Sequence, residues 1–247
     1  MNAVLVRVAI DQAFGAWNAP VDPKTLEFLY VPIPEGPNVA FQAGMATPYT
    51  MLKPVLARFA AHHSEARSDS LGLPEKLSGR AMHLDPDFER LTYGDNGLRR
   101  GRDLANYGTG DVVAFFAGLR PIRPCAHRLV YALIGLYRVA ECVRLRNVPR
   151  SRWAENAHTR RLDHAPDDVI VRADPASSGR LRRCIPIGEW RNRSYRVRHD
   201  LLDAWGGLSA NDGYIQRSAV PPRIANPDRF LQWFEAQRPE LVAANNP

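Results

Sequence analysis

Four stretches of the chain are rich enough in apolar and β-branched residues to form buried strands. They cover residues 3–10 (AVLVRVAI), 111–117 (DVVAFFA), 129–143 (LVYALIGLYRVAECV) and 168–172 (DVIVR). Short apolar runs bounded by polar or turn residues are typical of strands. The second and third runs are close in sequence, so we predict two adjacent antiparallel strands, with Gly135 at a bulge or bend.

Other patterns predict one more strand and several helices. Residues 27–33 (EFLYVPI) indicate a strand whose end lies at a sheet edge, because Pro32 and Pro34 cannot donate to a neighbouring strand. The apolar spacing of residues 47–61 predicts a helix that either starts late or bends at Pro54. Residues 201–205 predict a short helix, and Asn226 and Pro227 cap a final amphipathic helix.

Together these elements predict an α+β fold: a single mixed domain with a central, mainly antiparallel sheet and flanking helices. The pattern leaves open whether that sheet is barrel-like. The chain contains no repeat, low-complexity tract or long linker, so we expect the domain to span residues 1–238. Residues 239–247 are expected to be a flexible C-terminal tail, because chain ends fray unless other contacts hold them.

Composition narrows the class of protein. The chain has 247 residues, of which 45% are hydrophobic and 24% charged, as in a soluble globular protein. The three cysteines are far apart and form no CxxC spacing, which predicts reduced thiols and no zinc site. No window approaches 18 uninterrupted apolar residues and no signal peptide is evident, so we expect a cytoplasmic protein without a membrane partner.

The positive charge is concentrated in one segment. The net charge is +7, and only three of the 33 basic residues are lysines. Residues 180–198 contain seven arginines and a single acid, Glu189, with Trp190 and Tyr195 among them. Guanidinium groups bind phosphates and aromatic rings stack on bases, so this segment favours nucleic-acid binding. The simpler alternative is a strand whose outward face is basic.

The loop after the first strand is the first candidate for chemistry. Asp11 directly follows that strand, a place where reactive groups often lie, and its carboxylate could polarise a water or stabilise a cation. Gln12 and Asn18 could contact the polar edges of a base, and Phe14 or Trp17 could stack on it. The simpler interpretation is that Asp11 caps a turn and Trp17 belongs to the core.

The segment WAENAHTRR is the second candidate. It places hydrogen-bonding and cationic side chains close together, namely Glu155, Asn156, His158, Arg160 and Arg161. Such a group could supply a general base and phosphate clamps. The alternative is a solvated polar turn. Residues 93–97 (YGDNG) predict a simple turn, and the chain contains no GxSxG, P-loop or GxGxxG motif.

Several strings resemble one known family. They are AIDQAFGAWNAPVDP, FLYVPIPE, HLDPDFERLTYGD, GDVVAFFAGLRP, YALIGLYRV, ENAHTRR, SGRLRRCIPIGEW and LSANDGYIQRSA. The resemblance as a whole runs from about residue 3 to residue 234. They are similar to the bacterial and phage nucleotide-modification-associated domain of the third type. That family is associated with phage DNA containing modified bases, and some relatives are DNA glycosylases that excise glucosylated hydroxymethylcytosine.

The resemblance implies a monofunctional DNA glycosylase of phage defence that flips and excises a hypermodified base. A glycosylase needs a carboxylate near the anomeric carbon, and we expect this to be Asp11, with Glu155 as second choice. No lysine lies in the candidate motifs, which favours hydrolysis by water over a Schiff-base lyase. The implied partner is DNA, with no metal, no organic cofactor and no obligate protein partner.

Further residues receive expected roles in this hypothesis. Contact with the flipped base or its sugar is expected from Gln12, Phe14, Trp17, Asn18, Asn156 and His158. Contact with the DNA backbone is expected from Arg160, Arg161, Arg180, Arg182, Arg183, Arg191 and Arg193.

The strings GDVVAFFAG and HRLVYALIGLYRV also faintly resemble base-reading β-barrel modules of the PUA type, which leaves a non-catalytic reader as the alternative. A group-transfer enzyme is a third possibility, although we find no phosphate-cradling loop for a donor.

Overall fold

The strands form one large sheet and two small ones in the computed structural model, which describes residues 1–63, 71–98, 101–217 and 220–247. They are β1 (Ala3–Arg7), β2 (Pro20–Val21), β3 (Ile33–Pro34), β4 (Met82–His83), β5 (Thr92–Asp95), β6 (Val112–Pro121), β7 (Val130–Arg144), β8 (Val169–Ala173), β9 (Gly179–Pro186), β10 (Gly188–Arg191), β11 (Ser194–Val197) and β12 (Leu241–Val242). With 22% helix and 32% strand, the predicted α+β class is confirmed.

The hairpin of β6 and β7 forms the centre of the large sheet. The two strands pair antiparallel from Val112 opposite Arg138 to Leu119 opposite Val130, as predicted. The register shifts where Phe115 lies opposite Gly135, which confirms the expected bulge at this glycine. Both strands are buried along nearly all of this length, so their side chains form the core on both faces of the sheet.

The remaining strands extend the large sheet from this hairpin. The order is β1-β6-β7-β8-β5, with β9 also paired to β7, β12 paired to β9, and β2 paired to the end of β6. The strands β1 and β2 run parallel to β6, and all other pairs are antiparallel. The sheet is therefore mixed and mainly antiparallel as predicted, and it is not closed into a barrel.

Four α-helices flank the sheets in the described part of the chain. They are α1 (Lys53–His62), α2 (Glu75–Ser78), α3 (His199–Trp205) and α4 (Pro227–Ala236). The helix predicted over residues 47–61 starts late, after a short 3-10 turn, because Pro54 is tolerated only in a first turn. The side chain of Asn226 accepts a hydrogen bond from the Arg229 N–H, which confirms the predicted cap of α4.

The two C-terminal helices pack through aromatic rings. The Trp205 ring of α3 lies 5.1 Å from the rings of both Phe230 and Trp233 of α4, edge to face. None of the described helices combines the length and the apolar character needed to cross a membrane.

The predicted strand over residues 27–33 is wrong as a regular strand. The apolar residues of this segment are buried, since Phe28, Leu29, Tyr30 and Val31 all belong to the core. However, its backbone groups bond to several different segments instead of one partner strand. The Leu29 N–H donates to Pro20, the Val31 carbonyl accepts from Ile10, and the Tyr30 N–H donates to the side chain of Asn246.

The C-terminal residues, expected to form a flexible tail, differ from that expectation. Strand β12 pairs antiparallel with β9, and Leu241 lies opposite Leu181. The Asn245 side chain accepts from the Phe88 N–H at 2.8 Å and donates to Oδ1 of Asp87 at 3.0 Å. The tail does not fray because it satisfies buried backbone groups that have no partner strand of their own.

We predict that Asn245→Ala destabilises the protein by about 1–3 kcal/mol, because the Phe88 N–H then loses its acceptor. Urea denaturation followed by circular dichroism measures this free energy of unfolding. The matched control is Gln237→Ala, which removes an exposed amide near the same end of the chain and should change stability by less than about 0.5 kcal/mol. Equal stability of both variants would contradict the structural role of Asn245.

Candidate functional site

Two histidines and one carboxylate from distant parts of the sequence meet at a single buried point. Nε2 of His83 lies 3.8 Å and Nε2 of His158 lies 3.7 Å from Oδ2 of Asp85. We call these three residues the His–Asp–His centre. Their side chains are 12%, 10% and 4% exposed, in the order His83, His158, Asp85, so the centre is buried but still borders solvent.

Local strand pairing positions the first half of the centre. Strand β4 pairs with β3, so His83 lies opposite Ile33 and close to Glu35. Asp85 follows two residues later, and its Oδ1 accepts the backbone N–H of Gly94 in β5 at 2.8 Å. Because this bond occupies Oδ1, the second oxygen Oδ2 is left to face the two imidazoles.

A tight turn after residue 155 positions the second half. Oδ1 of Asn156 accepts the His158 N–H at 2.9 Å, and Nδ2 of Asn156 donates to Oδ1 of Asp85 at 2.9 Å. The His158 ring packs directly on Gly94, where a Cβ atom would lie 2.5 Å from Cδ2 of the ring. Only glycine at this position allows the imidazole to approach β5 so closely.

Each imidazole is held from its far side by a further carboxylate. Nδ1 of His83 lies 2.9 Å from Oε1 of Glu35, and Nδ1 of His158 lies 2.6 Å from Oδ2 of Asp168, directly before β8. Arg161 donates to the other oxygen of Glu35 at 2.7 Å. A carboxylate on Nδ1 fixes the orientation of a histidine and leaves Nε2 to face its partner.

Burial dominates the electrostatics of the centre. It raises the pKa of Asp85 to about 7, since the hydrogen bonds from Gly94 and Asn156 and the nearby His158 only partly offset desolvation of the carboxylate. Burial also lowers the pKa of His83 to about 4. Burial opposes the charged form of Glu35, but the hydrogen bonds and charges of His83 and Arg161 outweigh it and lower its pKa to about 2.

His158 differs from His83 in the balance of these effects. Burial lowers its pKa, but the hydrogen bond to Asp168 and the charge of Asp85 outweigh burial, so the net pKa is raised. The pKa values of the two imidazoles are therefore shifted in opposite directions around one carboxylate. Titratable groups with opposite shifts in one buried cluster are typical of acid–base sites.

Two groups of side chains in the described residues have the composition and proximity to hold a metal ion. One is the His–Asp–His centre, whose ligand atoms all lie within 4.8 Å of one another. The other is Glu27, His62 and His63 at the end of α1. The first group is nearly buried, whereas the His62 side chain of the second is 72% exposed.

The family model described as nucleotide modification associated domain 3 matches residues 2–207, most of the chain. The chain belongs to this family. Its membership suggests a role related to nucleotide modification in phage defence. Searches of curated proteins and of solved structures gave no match.

In this member of the nucleotide modification associated domain 3 family, the two expected catalytic carboxylates lie outside the centre. Asp11 forms an ion pair with Arg7, and its Oδ1 accepts the N–H groups of Ala13 and Phe14 at 2.6 and 2.8 Å. Glu155 accepts two hydrogen bonds from Arg172, at 2.8 and 3.1 Å. Asp11 thus caps a turn and Glu155 forms a buried ion pair.

The residues expected to contact a base divide into two locations. Asn156 and His158 belong to the centre or support it. Gln12 and Asn18 line a cavity of about 740 Å³ together with Trp190.

The two aromatic residues of the same loop differ in exposure. Phe14 is 58% exposed, whereas Trp17 is only 6% exposed. Phe14 is therefore available to a ligand in this conformation, and Trp17 belongs to the core, the simpler of the two interpretations weighed from the sequence.

The arginines expected to bind the DNA backbone also divide. Arg160 is buried and donates to Asp87 at 2.6 Å, and Arg180 is buried with its guanidinium over the Phe28 ring. Neither can reach a phosphate in this conformation, so these two expectations are corrected. Arg161 forms an ion pair with Glu35, and Arg191 forms ion pairs with Asp212 and Glu189. The three remaining arginines of this set, Arg182, Arg183 and Arg193, are exposed.

Sequence analysis missed His83, Asp85, Glu35 and Asp168. The string HLDPDFERLTYGD contains the first two, but its Asp and Pro residues predicted only turns. Residues 93–97, predicted as a turn, form β5 in part and carry the backbone donor of Gly94. A useful signal was the H-x-D spacing of His83 and Asp85, which places a histidine and a carboxylate on one side of an extended segment.

We predict that Arg160→Ala destabilises the protein by about 3–5 kcal/mol, because Asp87 would lose its buried guanidinium partner. Thermal and urea unfolding measure the loss. Arg193→Ala, at an exposed position, serves as the control and should stay within about 0.5 kcal/mol of the wild type. If Arg160→Ala unfolded like the wild type, the ion pair with Asp87 would not be a structural interaction.

Proposed function

We propose that the protein is a DNA glycosylase of phage defence that hydrolytically excises a hypermodified base and leaves an abasic site. Glucosylated hydroxymethylcytosine is the proposed substrate base. The observation that carries this proposal is the His–Asp–His centre, in which one buried carboxylate oxygen faces two imidazole nitrogens. Membership of the nucleotide modification associated domain 3 family supports the link to modified nucleotides.

The reaction needs a negative group beside the anomeric carbon. A water oxygen forms a bond to C1′ while the bond from C1′ to the base nitrogen breaks, and the electron pair and a proton go to the base. Positive charge develops on the sugar, as in glycoside hydrolysis, so a preorganised carboxylate stabilises the transition state. We assign this role to Asp85, since Asn156 and Gly94 hold Oδ1 and leave Oδ2 facing inward.

Exposed arginines supply the contact to DNA in this proposal. Arg182, Arg183 and Arg193 are exposed within the basic segment, although Arg182 also pairs with Glu240, and the Trp190 ring of the same segment is 57% exposed. Such a surface neutralises phosphates and offers a ring for stacking. A nucleotide must also leave the base stack before a buried centre can reach its sugar.

The alternative is a reader that binds a modified base without breaking a bond. The cavity of about 740 Å³ favours this function, because Gln12, Asn18, Trp190 and Tyr195 line it and no residue of the His–Asp–His centre does. Amide groups and aromatic rings suffice to bind a base. In this case Trp190→Ala would abolish binding, and Asp85→Asn would leave every measurable property of the complex unchanged.

We predict that Asp85→Asn lowers the rate of base release from DNA carrying glucosylated hydroxymethylcytosine by roughly 100-fold or more. Free modified base and alkali-labile strands are the readouts, with unmodified DNA as the substrate control. Asp163→Asn is the matched protein control, since it changes an exposed carboxylate elsewhere and should retain full activity.

Two companion variants test the expectations from sequence. Both variants, Asp11→Asn and Glu155→Gln, should still release the base. Because both are expected to be less stable, they are assayed well below their melting temperatures. Loss of release in Asp11→Asn, with Asp85→Asn fully active, would move the reaction to the loop after β1. Retention of DNA without base release in the wild type would instead support the reader.

DNA binding gives a separate prediction. The double variant Arg183→Ala, Arg193→Ala should weaken DNA binding and reduce the slope of log affinity against log salt by about 2, because two phosphate contacts are lost. Fluorescence anisotropy over a salt series measures this slope. The control double variant Arg146→Ala, Arg150→Ala removes exposed arginines from another loop and should leave the slope unchanged.

A further inference from the structure

We propose that the His–Asp–His centre binds a divalent first-row transition-metal ion through Nε2 of His83, Oδ2 of Asp85 and Nε2 of His158. This inference deepens the proposed function and rests on it for its meaning, since it names what the centre holds during the reaction.

The three ligand atoms are arranged as a metal site requires. They all lie within 4.8 Å of one another, and the His83 and His158 rings have centroids 4.9 Å apart. The distances from the two nitrogens to Asp85 Oδ2, 3.8 and 3.7 Å, are too long for hydrogen bonds. These separations suit atoms that share one cation, because each ligand then lies about 2.0–2.2 Å from it.

The outer partners of both histidines support the same assignment. Nδ1 of His158 lies 2.6 Å from Asp168, and Nδ1 of His83 lies 2.9 Å from Glu35 and 3.0 Å from Nη2 of Arg161, so both imidazoles direct Nε2 inward. Metal binding through Nε2 of His83 requires the tautomer in which Nδ1 donates to Glu35. Metal-binding histidines almost always donate their second nitrogen to a carboxylate, a carbonyl or water. Each histidine thus has a carboxylate partner on Nδ1, and both face the further carboxylate of Asp85. This pattern is a second indication of a metal site, independent of the distances between the ligand atoms.

Charge around the centre favours a divalent cation. Glu35, Asp85 and Asp168 carry three negative charges, and Arg161 is the basic side chain paired to this set. When all three carboxyl groups are ionised and both histidines are neutral, as metal binding requires, the set has two uncompensated negative charges in a buried place, which is costly without a cation. Among the described residues, Asp85 has no lysine or arginine within ion-pair distance. A divalent ion would neutralise this excess.

The donor set also restricts the class of ion. Two imidazoles and one carboxylate suit zinc, iron, manganese or cobalt, whereas calcium and magnesium prefer oxygen ligands alone. Three protein ligands leave positions open for water or substrate, as in catalytic sites. An ion bound there would lower the pKa of a coordinated water and so could supply the nucleophile for the proposed hydrolysis. In that case Asp85 would act by holding the ion, and not by direct contact of its Oδ2 with the anomeric carbon.

The second group that can hold a metal is the natural comparison. His63 is buried, with Nδ1 3.0 Å from Asp22, and its Nε2 makes no hydrogen bond among the described residues but lies 3.3 Å from Glu27. His62, however, is 72% exposed, and among the described residues no carboxylate other than Glu27 pairs with it. The absence of a second fixed imidazole makes this group the weaker one, and it serves below as the control.

The test measures metal content without DNA. The full chain is freed of metal, incubated with Zn²⁺ or Co²⁺, desalted and analysed by mass spectrometry of the elements. About one equivalent is expected in the wild type and in His62→Gln, and none in Asp85→Asn. Asp168→Asn should weaken affinity by about 10–100-fold, as expected for loss of an outer partner.

The glycine that packs on His158 provides a second pair of variants. Gly94→Ala should weaken metal binding, because the new Cβ displaces the His158 ring, whereas Gly108→Ala has no atom within 4 Å of the added Cβ and should bind normally. No metal in the wild type would overturn the proposal. It would also be overturned by equal binding in Asp85→Asn and the wild type, or by loss in His62→Gln alone.

A direct measurement covers the case in which a variant does not fold. X-ray absorption at the zinc edge of the loaded wild type should show two imidazoles, and crystals should give an anomalous peak between His83, Asp85 and His158. A peak at Glu27 and His62 instead would overturn the proposal.

The outcome for the proposed function is separate. Metal binding without base release would leave this site assigned and contradict the glycosylase, whereas base release by a wild-type protein that takes up no Zn²⁺ or Co²⁺ would support the glycosylase and overturn this site.

Discussion

The antiparallel pairing of β6 with β7 governs the position of almost every other element. Both strands are buried from Val112 to Leu119 and from Val130 to Tyr137, so each backbone N–H and carbonyl there must find a partner inside the protein. β7 meets this requirement by pairing with β6 along one edge and with β8 and β9 along the other. The sheet order, and with it the side that carries β5, follows from this constraint.

Much of this arrangement is predictable from local sequence patterns. Continuous apolar runs identified β1, β6, β7 and β8, and Gly135 marked the bulge between the central strands. Local pattern failed at residues 27–33 because apolar spacing reports burial, whereas strand formation also requires one continuous partner. It failed again at the C-terminus, where the amide side chains of Asn245 and Asn246 supply long-range hydrogen bonds that no local pattern encodes.

The candidate site was only half visible in the sequence. Asn156 and His158 stood out because their functional groups are close together, but their partners Asp85 and Asp168 come from other segments. Asp11 is ambiguous from sequence, since a carboxylate after a strand has the same sequence pattern whether it reacts or caps a turn. The sequence predicted no metal site because no single segment has closely spaced ligands. In the structure, potential ligands from separate segments come together through the β3–β4 and β5–β8 pairs.

The residues of the centre come from separate segments of the chain, so the centre exists only after folding has brought these segments together. Glu35, His83 with Asp85, Asn156 with His158, and Asp168 lie on four stretches that meet only when β4, β5 and β8 have all docked. A partly folded or thermally opened chain therefore has scattered imidazoles and carboxylates with no common focus. For the proposed glycosylase, an incompletely folded chain would therefore be unable to excise bases from the DNA of the cell that makes it.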